Sequence, residues 1–479
     1  MESERRFSTA EVAEQVGVHR DTLLRWLREG RVAEPGRDRN GWRTFTSDDV
    51  GNIQRFAGAE QESTASPVYS LRRAPTPTVR ETFTPIDPIE RLRSLDWDFV
   101  GAKTNYLTHG LHPYPAKFIP QIPNALIQEL SSVGEVVADI FCGSGTTLVE
   151  ALTLKRHAVG VDANPLACLI TEAKTTPLEA EELTTLRQLV LNSAVLSEQV
   201  ADATQQGRLF APNQPLHGVV PEGKAIQFWF EPFVVDELAQ IRSWAEAIGS
   251  PAARTLARVA LSSIIVAVSR QDSDTRYVRR QKNLVPGDVL KRFSKALEDA
   301  VREAAELTEL LEPRFSRRVI NASVLDSPEV GDIDLVVSSP PYPNAYSYHL
   351  YHMTRMLWLG MDQPTFKRAE IGSHRKYSAK GPRAATHKTF AGEMDRIFAW
   401  LATRLKAGRF ACFVVGDSII GGRRYNNADT MAIGAADYGF TEVARIERRL
   451  QDTKKAFNPV IGKIRQEHIL ILQNRGDSS

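Results

Sequence analysis

The sequence predicts an α/β fold: seven short apolar strands alternating with helices, broken by a helical insertion and preceded by a small α-helical module. Three observations carry that expectation. From residue 86 onward, apolar runs of strand length alternate with stretches of helical periodicity. One run ends in a glycine loop, "CGSGTT", that opens a helix, and another ends in the rigid turn "SSPPY". Both turns fall at the carboxyl ends of strands, where an open parallel sheet binds ligands.

A chain of 479 residues can bury a large core and hold roughly two to four domains. Its hydrophobic share of 42% and charged share of 25% are ordinary for a soluble globular protein. The net charge of +2 says nothing of an anionic partner; only local clustering could. Cys142, Cys168 and Cys412 form no CxxC pair, which excludes a disulfide scaffold and a four-thiolate zinc site and fits a reducing compartment. No metal site is expected. The start, "MESERRFSTA", lacks the apolar core of a signal peptide, and no run approaches about 18 apolar residues. A cytoplasmic location without membrane contact is expected.

Residues 1–57 read as the first module. In "FSTAEVAEQVGVHRDTLLRWLREG", Ser8 or Thr9 can cap a helix carrying Val12, Ala13 and Val16. Gly17 suits the turn, and Leu23, Leu24 and Leu27 give a second helix its buried face. "RVAEPGRDRNGWRTFTSDDV" reads as a hairpin wing with "RNGW" as its turn and Ser47 capping a third helix. The region resembles the winged helix-turn-helix of MerR-type regulators, but without the long dimerising helix that normally follows. The other reading is a helical module for protein contacts. Ten arginines face ten acidic residues in 1–57, so DNA contact would rest on positions. Those are His19, Arg20, Thr22 and Arg25 on the second helix and Arg43 on the wing.

Residues 58–85 have the Ser, Thr and Pro content of an extended linker. The third module, 86–479, contains the strands 135–141, 157–162, 317–323, 333–338, 409–416, 441–450 and 467–473. The helical stretch between the second and third strands, about 165–315, is too long for one crossover and reads as an insertion.

In "ADIFCGSGTTLVEAL", Gly143 and Gly145 let backbone pass close under a ligand and turn into a helix. Asp162 ends the next strand, where a carboxylate can hold two ribose hydroxyls. Asp326, after the third strand, could contact an adenine edge. The loop lacks the third glycine of a dinucleotide fingerprint and the GK[ST] of a triphosphate loop, so a nucleoside without a pyrophosphate fits better. The competing reading is a strand-to-helix turn that merely packs well.

"DIFCGSGTT" resembles the AdoMet-binding motif of DNA amino-methyltransferases, and "SSPPY" resembles their catalytic motif. "HPYPAKFIP", residues 112–120, looks like the segment that closes over the methionine end of AdoMet. The resemblance implies a Rossmann-like AdoMet methyltransferase sheet, with the insertion as a candidate target-recognition region. It implies S-adenosyl-L-methionine held by Lys117, Asp139, Phe141, Gly143, Ser144, Gly145, Thr146, Asp162 and Asp326. Catalysis would fall to Ser339, Pro340, Pro341 and Tyr342.

The chemistry suits that turn. A base's exocyclic amine is a poor nucleophile because its lone pair is delocalised into the ring. Neutral acceptors such as Ser339 Oγ and the Pro340 carbonyl can grip its N–H groups and free the lone pair. Tyr342 offers a ring for a flipped base. Methylation of cytosine C5 would need a cysteine nucleophile, and no cysteine here stands in a Pro-Cys setting. Serine at the first motif position resembles the cytosine-N4 members more than the adenine-N6 members.

Basic runs mark where nucleic acid would lie. "FKRAEIGSHRKYSAKGPRAATHK" (366–388) reads as a basic loop with His374, Arg375 and Lys376, and "SRQDSDTRYVRRQKN" (269–283) offers Arg276, Arg279 and Arg280. Residues 445–465 form a third run. Any one could be a solvated face. "YHLYHMTRMLWLGM" (348–361) reads instead as a helix under the catalytic turn, with His349 and His352 as core or supporting groups. The expectation is a double-stranded-DNA methyltransferase acting on cytosine N4, with a cognate restriction endonuclease as an admissible partner. Adenine-N6 DNA methylation, RNA base methylation and an AdoMet-sensing regulator are the alternatives.

Overall fold

The computed structural model describes residues 7, 9–16, 23, 26–27, 32–33, 35–37, 43–62, 87–115, 117–205, 216, 218–343, 346–379, 381, 384–449 and 466–476. They form two compact units, parted between residues 84 and 85.

In the first unit, helices Thr9–Val16 and Ser47–Glu62 pack together, and strands Gly36–Arg37 and Arg43–Thr44 pair antiparallel. Val12, Ala13, Leu23, Trp26, Leu27, Phe45, Val50 and Ile53 make its core. Leu23 and Leu27 are buried, as the helical spacing predicts, while Ser8, Gly17, Leu24 and the turn at 39–42 lie outside the described residues. Trp26 is part of the same buried face and meets Phe56 edge-on at 5.1 Å. The expected Ser47 cap is corrected. Thr46 caps instead: its Oγ1 accepts from Asp49 N at 3.2 Å while Asp49 Oδ2 accepts from Thr46 N at 2.9 Å. A side chain one residue outside the helix reaches the free amides better than one already inside it. That helix runs to Glu62, into the stretch read as linker.

The second unit is built on seven strands: β1 (Val136–Asp139), β2 (His157–Asp162), β3 (Arg317–Asn321), β4 (Ile333–Ser338), β5 (Leu405–Gly416), β6 (Phe440–Arg449) and β7 (Gln466–Asn474). Their order is β3-β2-β1-β4-β5-β7-β6, parallel except for β7, which runs against both neighbours. β4 is buried at every position, which explains its unbroken apolar run: a central parallel strand is covered on both faces. Helices α1 (Gln121–Leu130) and α2 (Thr146–Thr153) cover one face. Helices α8 (His387–Ala402) and α9 (Asn427–Ala436) cover the other.

Between β2 and β3, α3 (Pro165–Thr175) still packs on those strands. The helices α4 (Ala180–Gln205), α5 (Pro232–Glu246), α6 (Pro251–Val268) and α7 (Asp288–Leu310) then pack mainly on one another. α6 has the length and apolar composition of a membrane span, but Leu256, Val259, Leu261, Ile265 and Val268 are buried in this helical core. A small antiparallel hairpin, Gln271–Ser273 with Arg276–Arg279, follows it.

The sheet order reverses between β1 and β4, because chain crossing from β1 goes first to β2 and β3 and only later to β4. Such a reversal opens a crevice at the carboxyl ends of the two strands. The glycine loop leaves β1 there and the SSPPY turn leaves β4 there.

Candidate active site

A cavity of about 580 Å³ occupies this crevice. Its size is that of a small-molecule site, for which about 300–1,000 Å³ is usual. Phe141, Gly143, Ser144, Thr146 and Asp162 line one part, and Ser339, Pro340, Pro341 and Tyr342 line another. Lys117 stands in the wall with Tyr114 and Phe118 of the 112–120 segment. Most of the residues expected to bind cofactor and those expected to do chemistry therefore share one space.

Gly145 begins α2 at φ 78°, and a Cβ there would lie 2.8 Å from the Thr171 side chain, so only glycine fits. Thr171 Oγ1 donates to the Gly143 carbonyl at 3.0 Å and holds the loop from behind. Asp162 accepts from Gly143 N at 2.9 Å and from Asn164 N at 2.8 Å. Burial outweighs those bonds and pushes its carboxyl up to about 6. Ser144 Oγ is buried with no hydrogen-bond partner among the described residues, an orphan that a bound polar ligand would satisfy. Lys117 Nζ donates to the His109 carbonyl at 2.8 Å, and burial lowers its ammonium pKa.

Asp139 stands behind the cavity wall. Its carboxylate accepts from Ser338 Oγ at 2.6 Å, Thr147 Oγ1 at 2.7 Å and Phe141 N at 3.1 Å. Burial pushes it up to about 6 against those bonds. The two serines of SSPPY thus divide the work: Ser338 ties β4 to the glycine loop, and Ser339 faces the cavity. Ser339 Oγ donates to the Val414 carbonyl on β5 at 3.0 Å. Its one proton is used there, so its lone pairs are left to accept. Tyr342 packs one side against the core and lines the cavity with the rest.

The turn is backed by Gly372, at φ 70°, where a Cβ would stand 2.9 Å from the carbonyls of Pro341 and Tyr342. Glu370, Ile371 and Gly372 all line the cavity, and Phe366 and Tyr377 are buried. The described part of 366–388 is therefore not a free basic loop: short helices hold the buried Phe366 and Tyr377, and Gly372 between them packs against the catalytic turn. His349 Nδ1 pairs with buried Glu370 at 2.6 Å, and His352 is buried and stacked on Tyr114 at 5.1 Å. Both histidines support the wall, as the sequence predicts. The stretch around them forms two short helices, Tyr348–Tyr351 and Met353–Trp358.

The structure does not bring Asp326 to the cavity. β3 ends at Asn321, Ser323 Oγ caps the next turn by accepting from Leu325 N, and Ser323 and Val324 line the cavity while Asp326 is exposed. Gly145 shapes the wall without lining it. Tyr346, Tyr348, Arg448 and Glu467 line it without having been expected.

Among the expected DNA contacts, His19, Arg20, Thr22 and Arg25 lie outside the described residues, and only the backbone of Arg43 is described, in the second wing strand. Arg276, Arg279 and Arg280 are exposed on the hairpin; Arg279 lies over the Phe228 ring at 4.8 Å. Arg375 is exposed on the helix His374–Tyr377, near enough to Tyr277 of the hairpin for its charge to oppose the rise that burial causes in that phenol. His374 is half-buried, and Lys376 donates to the Glu370 carbonyl. Two of the three basic runs thus adjoin; most of the third, 450–465, lies outside the described residues.

Parts of the chain match known proteins. Residues 61–173 match the model of a DNA methylase family, and residues 8–45 match that of the MerR family regulatory proteins. The chain is 36% identical over 104 residues to the type II methyltransferase M.MjaII of Methanocaldococcus jannaschii, covering 20% of this chain and 19% of that one. It is 32% identical over 148 residues to M.MvaI of Kocuria varians, covering 30% and 31%. With M.BsoBI of Geobacillus stearothermophilus the identity is 24% over 295 residues, covering 55% and 54%. The matches thus span between about a fifth and about half of these relatives' lengths. On these matches, and on a glycine loop and an SSPPY turn meeting at one crevice, the chain resembles the AdoMet-dependent DNA amino-methyltransferases, with a MerR-like module at its N-terminus.

Proposed function

We propose that this protein is a DNA methyltransferase that transfers a methyl group from AdoMet to the exocyclic amine of a flipped base, cytosine N4 in preference to adenine N6. The observation that carries the reading is the single cavity shared by the glycine loop and the SPPY turn, with the Ser339 hydroxyl proton already committed to Val414. AdoMet when bound supplies a methyl group on a cationic sulfur. The pocket suits it: carboxylate Asp162 for ribose hydroxyls, the orphaned Ser144 Oγ for a polar end, and a loop at positive φ that admits close approach.

In this reading Ser339 Oγ and the Pro340 carbonyl accept the two amine N–H bonds. They draw the nitrogen toward tetrahedral geometry and aim its lone pair into the cofactor end of the cavity. No strong base is needed at the start, since the methylated ammonium is acidic and sheds its proton afterwards. Tyr342 stacks the base, which offsets part of the few kcal/mol that flipping costs. Cys168 and Cys412 are buried and do not line the cavity. Cys142 lines it from within the glycine loop, but its thiol lies 3.8 Å from Thr171 Oγ1 and burial pushes it well above the usual thiol range, which disfavours the thiolate that C5 methylation would need. The MerR-like match favours DNA over RNA as the substrate.

Incubation with labelled AdoMet, unmethylated genomic DNA and total RNA tests the proposal. Label should enter DNA alone and be recovered as N4-methylcytosine after digestion to nucleosides; label in RNA alone would reverse it. Asp162→Ala should weaken AdoMet binding by about 10- to 150-fold, the equivalent of losing charge-assisted hydrogen bonds of about 1.5–3 kcal/mol. Because the acceptor is the ionised carboxylate and its pKa lies at about 6, parent affinity should be full above that pH and decline below it. Calorimetric titration at pH 8 and pH 5 reads both effects. An unchanged dissociation constant in the variant would mean the ribose is held elsewhere.

A further inference from the structure

Arg448 and Glu467 line the same cavity but have no part in the clamp or in the ribose site. They are direct cross-strand partners on β6 and β7, joined from Arg448 Nη1 to Glu467 Oε2 at 2.8 Å. Arg448 Nε donates to the Trp97 carbonyl at 3.2 Å. The residue is only 7% exposed. A guanidinium has five N–H donors, so with two engaged, three have no partner among the described residues. A surface arginine can leave such donors to water. A buried one that lines a cavity presents them to whatever fills it.

The pair also lies on the catalytic side. Burial first and then the Glu467 carboxylate push the phenols of Tyr342 and Tyr346 up, so that carboxylate stands near both rings. β7 is separated from β4 only by β5, to which Ser339 is tied through Val414. A base with its amine at Ser339 and its ring on Tyr342 would extend the rest of its Watson–Crick edge along this strand order.

That edge differs among bases in a way an arginine can read. In cytosine the amine is followed by two acceptors, N3 and O2. In adenine it is followed by one acceptor, N1, and then a C–H. Two parallel N–H donors match the first and leave one donor unpaired against the second.

We propose that Arg448, held in place by Glu467 and the Trp97 carbonyl, is a specificity-determining residue that donates to N3 and O2 of the flipped cytosine. The proposal rests on the amine-clamp reading above and adds a reason for the choice of base. Glu467 acts through Arg448 and is a positioning residue.

The full-length chain, R448M, R448K and E467Q are expressed in a host without DNA methylation. Their genomic DNA is digested to nucleosides, and N4-methylcytosine and N6-methyladenine are both quantified by mass spectrometry. AdoMet binding and thermal melting of each purified protein are measured alongside. R448M should lower N4-methylcytosine by about 5- to 150-fold, the range for losing a bidentate base contact. Its AdoMet affinity should remain within about twofold of the parent, because Arg448 stands on β6, four places across the sheet from β1, which carries the glycine loop. R448K, which keeps the charge but loses the fork, should fall in between, and E467Q, which can still accept from Arg448, should stay closest to the parent. Any adenine product should not fall in step, so the ratio of N6-methyladenine to N4-methylcytosine should rise. Parent levels of N4-methylcytosine in R448M would overturn the proposal. So would a fall matched by lost AdoMet binding or a collapsed melting temperature, since the pair would then only brace the sheet. If the parent protein makes N6-methyladenine and no N4-methylcytosine, the cytosine reading fails before any variant is compared.

Discussion

Ser339→Ala should lower single-turnover methylation by about 100- to 1,000-fold, the usual consequence of removing one preorganised polar contact at the reacting centre. DNA and AdoMet binding should change little, because the contact strengthens only as the amine nitrogen becomes tetrahedral. Tyr342→Ala should act on a different step. It removes the stacking surface, worth about 1–3 kcal/mol, so capture of the flipped base and turnover fall together by about 5- to 150-fold. Tyr342 also packs against the core, so its variant should melt somewhat lower, whereas Ser339→Ala, which gives up one bond to Val414, should not. Rapid-quench methylation, DNA binding and AdoMet binding on each variant separate the two roles. Parent rates in both would leave SPPY as a structural turn and the clamp mechanism wrong.

In the proposed reading, changes on the cofactor side and on the base side should be separable, because the two sets of residues hang from different strands. The glycine loop and Asp162 hang from β1 and β2, on one side of the order reversal. Ser339 and Tyr342 follow β4, on the other side, where Arg448 and Glu467 also stand at the ends of β6 and β7. The reacting atoms would meet at the reversal itself. A change on one side can then alter turnover while sparing affinity on the other.

Much of this was legible in the sequence because local patterns determine it. The central parallel strands were readable as apolar runs, since a strand covered on both faces needs a continuous apolar segment, whereas the edge strands β3 and β6 are only partly buried and carry charged residues. The glycine loop was readable because a positive-φ turn under a ligand narrows the choice of residue to glycine. What stayed hidden joins residues distant in the chain. Ser338 and Asp139 are 199 residues apart, and nothing near either announces the bond. Arg448 and Glu467 depend on the antiparallel register of β6 and β7, which brings together residues 19 apart in the chain. Residues 366–388 read as a loop because their charges outnumber Phe366 and Tyr377, yet both of those side chains are buried and each belongs to a short helix. Asp326 was misplaced by a strand end: β3 stops two residues earlier than its apolar run suggests, and the capped turn that follows points Ser323 and Val324 inward.

Asp139→Ala should damage stability and cofactor binding together, unlike any change in the SPPY turn. The carboxylate is the shared acceptor of Ser338 Oγ, Thr147 Oγ1 and Phe141 N, and so joins β4, α2 and the glycine loop at one point. Removing it orphans up to three buried donors at about 1–3 kcal/mol each. Thr147 Oγ1 can fall back on the Val337 carbonyl at 3.2 Å, and Phe141 N on Ser338 Oγ at 3.2 Å. The net loss should therefore be about 2–5 kcal/mol, a large part of the roughly 5–15 kcal/mol that holds a domain folded. AdoMet affinity should fall at least about tenfold, since each 1.4 kcal/mol of lost loop order costs that much. Asp139→Asn keeps the shape and an acceptor for Phe141 N, so it should fold better than the alanine variant. It also isolates the effect of charge. Burial raises the native pKa to about 6 from the ordinary 3.8, so ionisation disfavours the native state above about pH 6, and that penalty fades as pH falls toward 4. The parent should accordingly gain stability relative to Asp139→Asn between pH 7 and pH 5. Urea unfolding at the two pH values and AdoMet titration read these effects. Parent stability and parent affinity in the alanine variant would show that the glycine loop and the catalytic turn are held together by something other than this carboxylate.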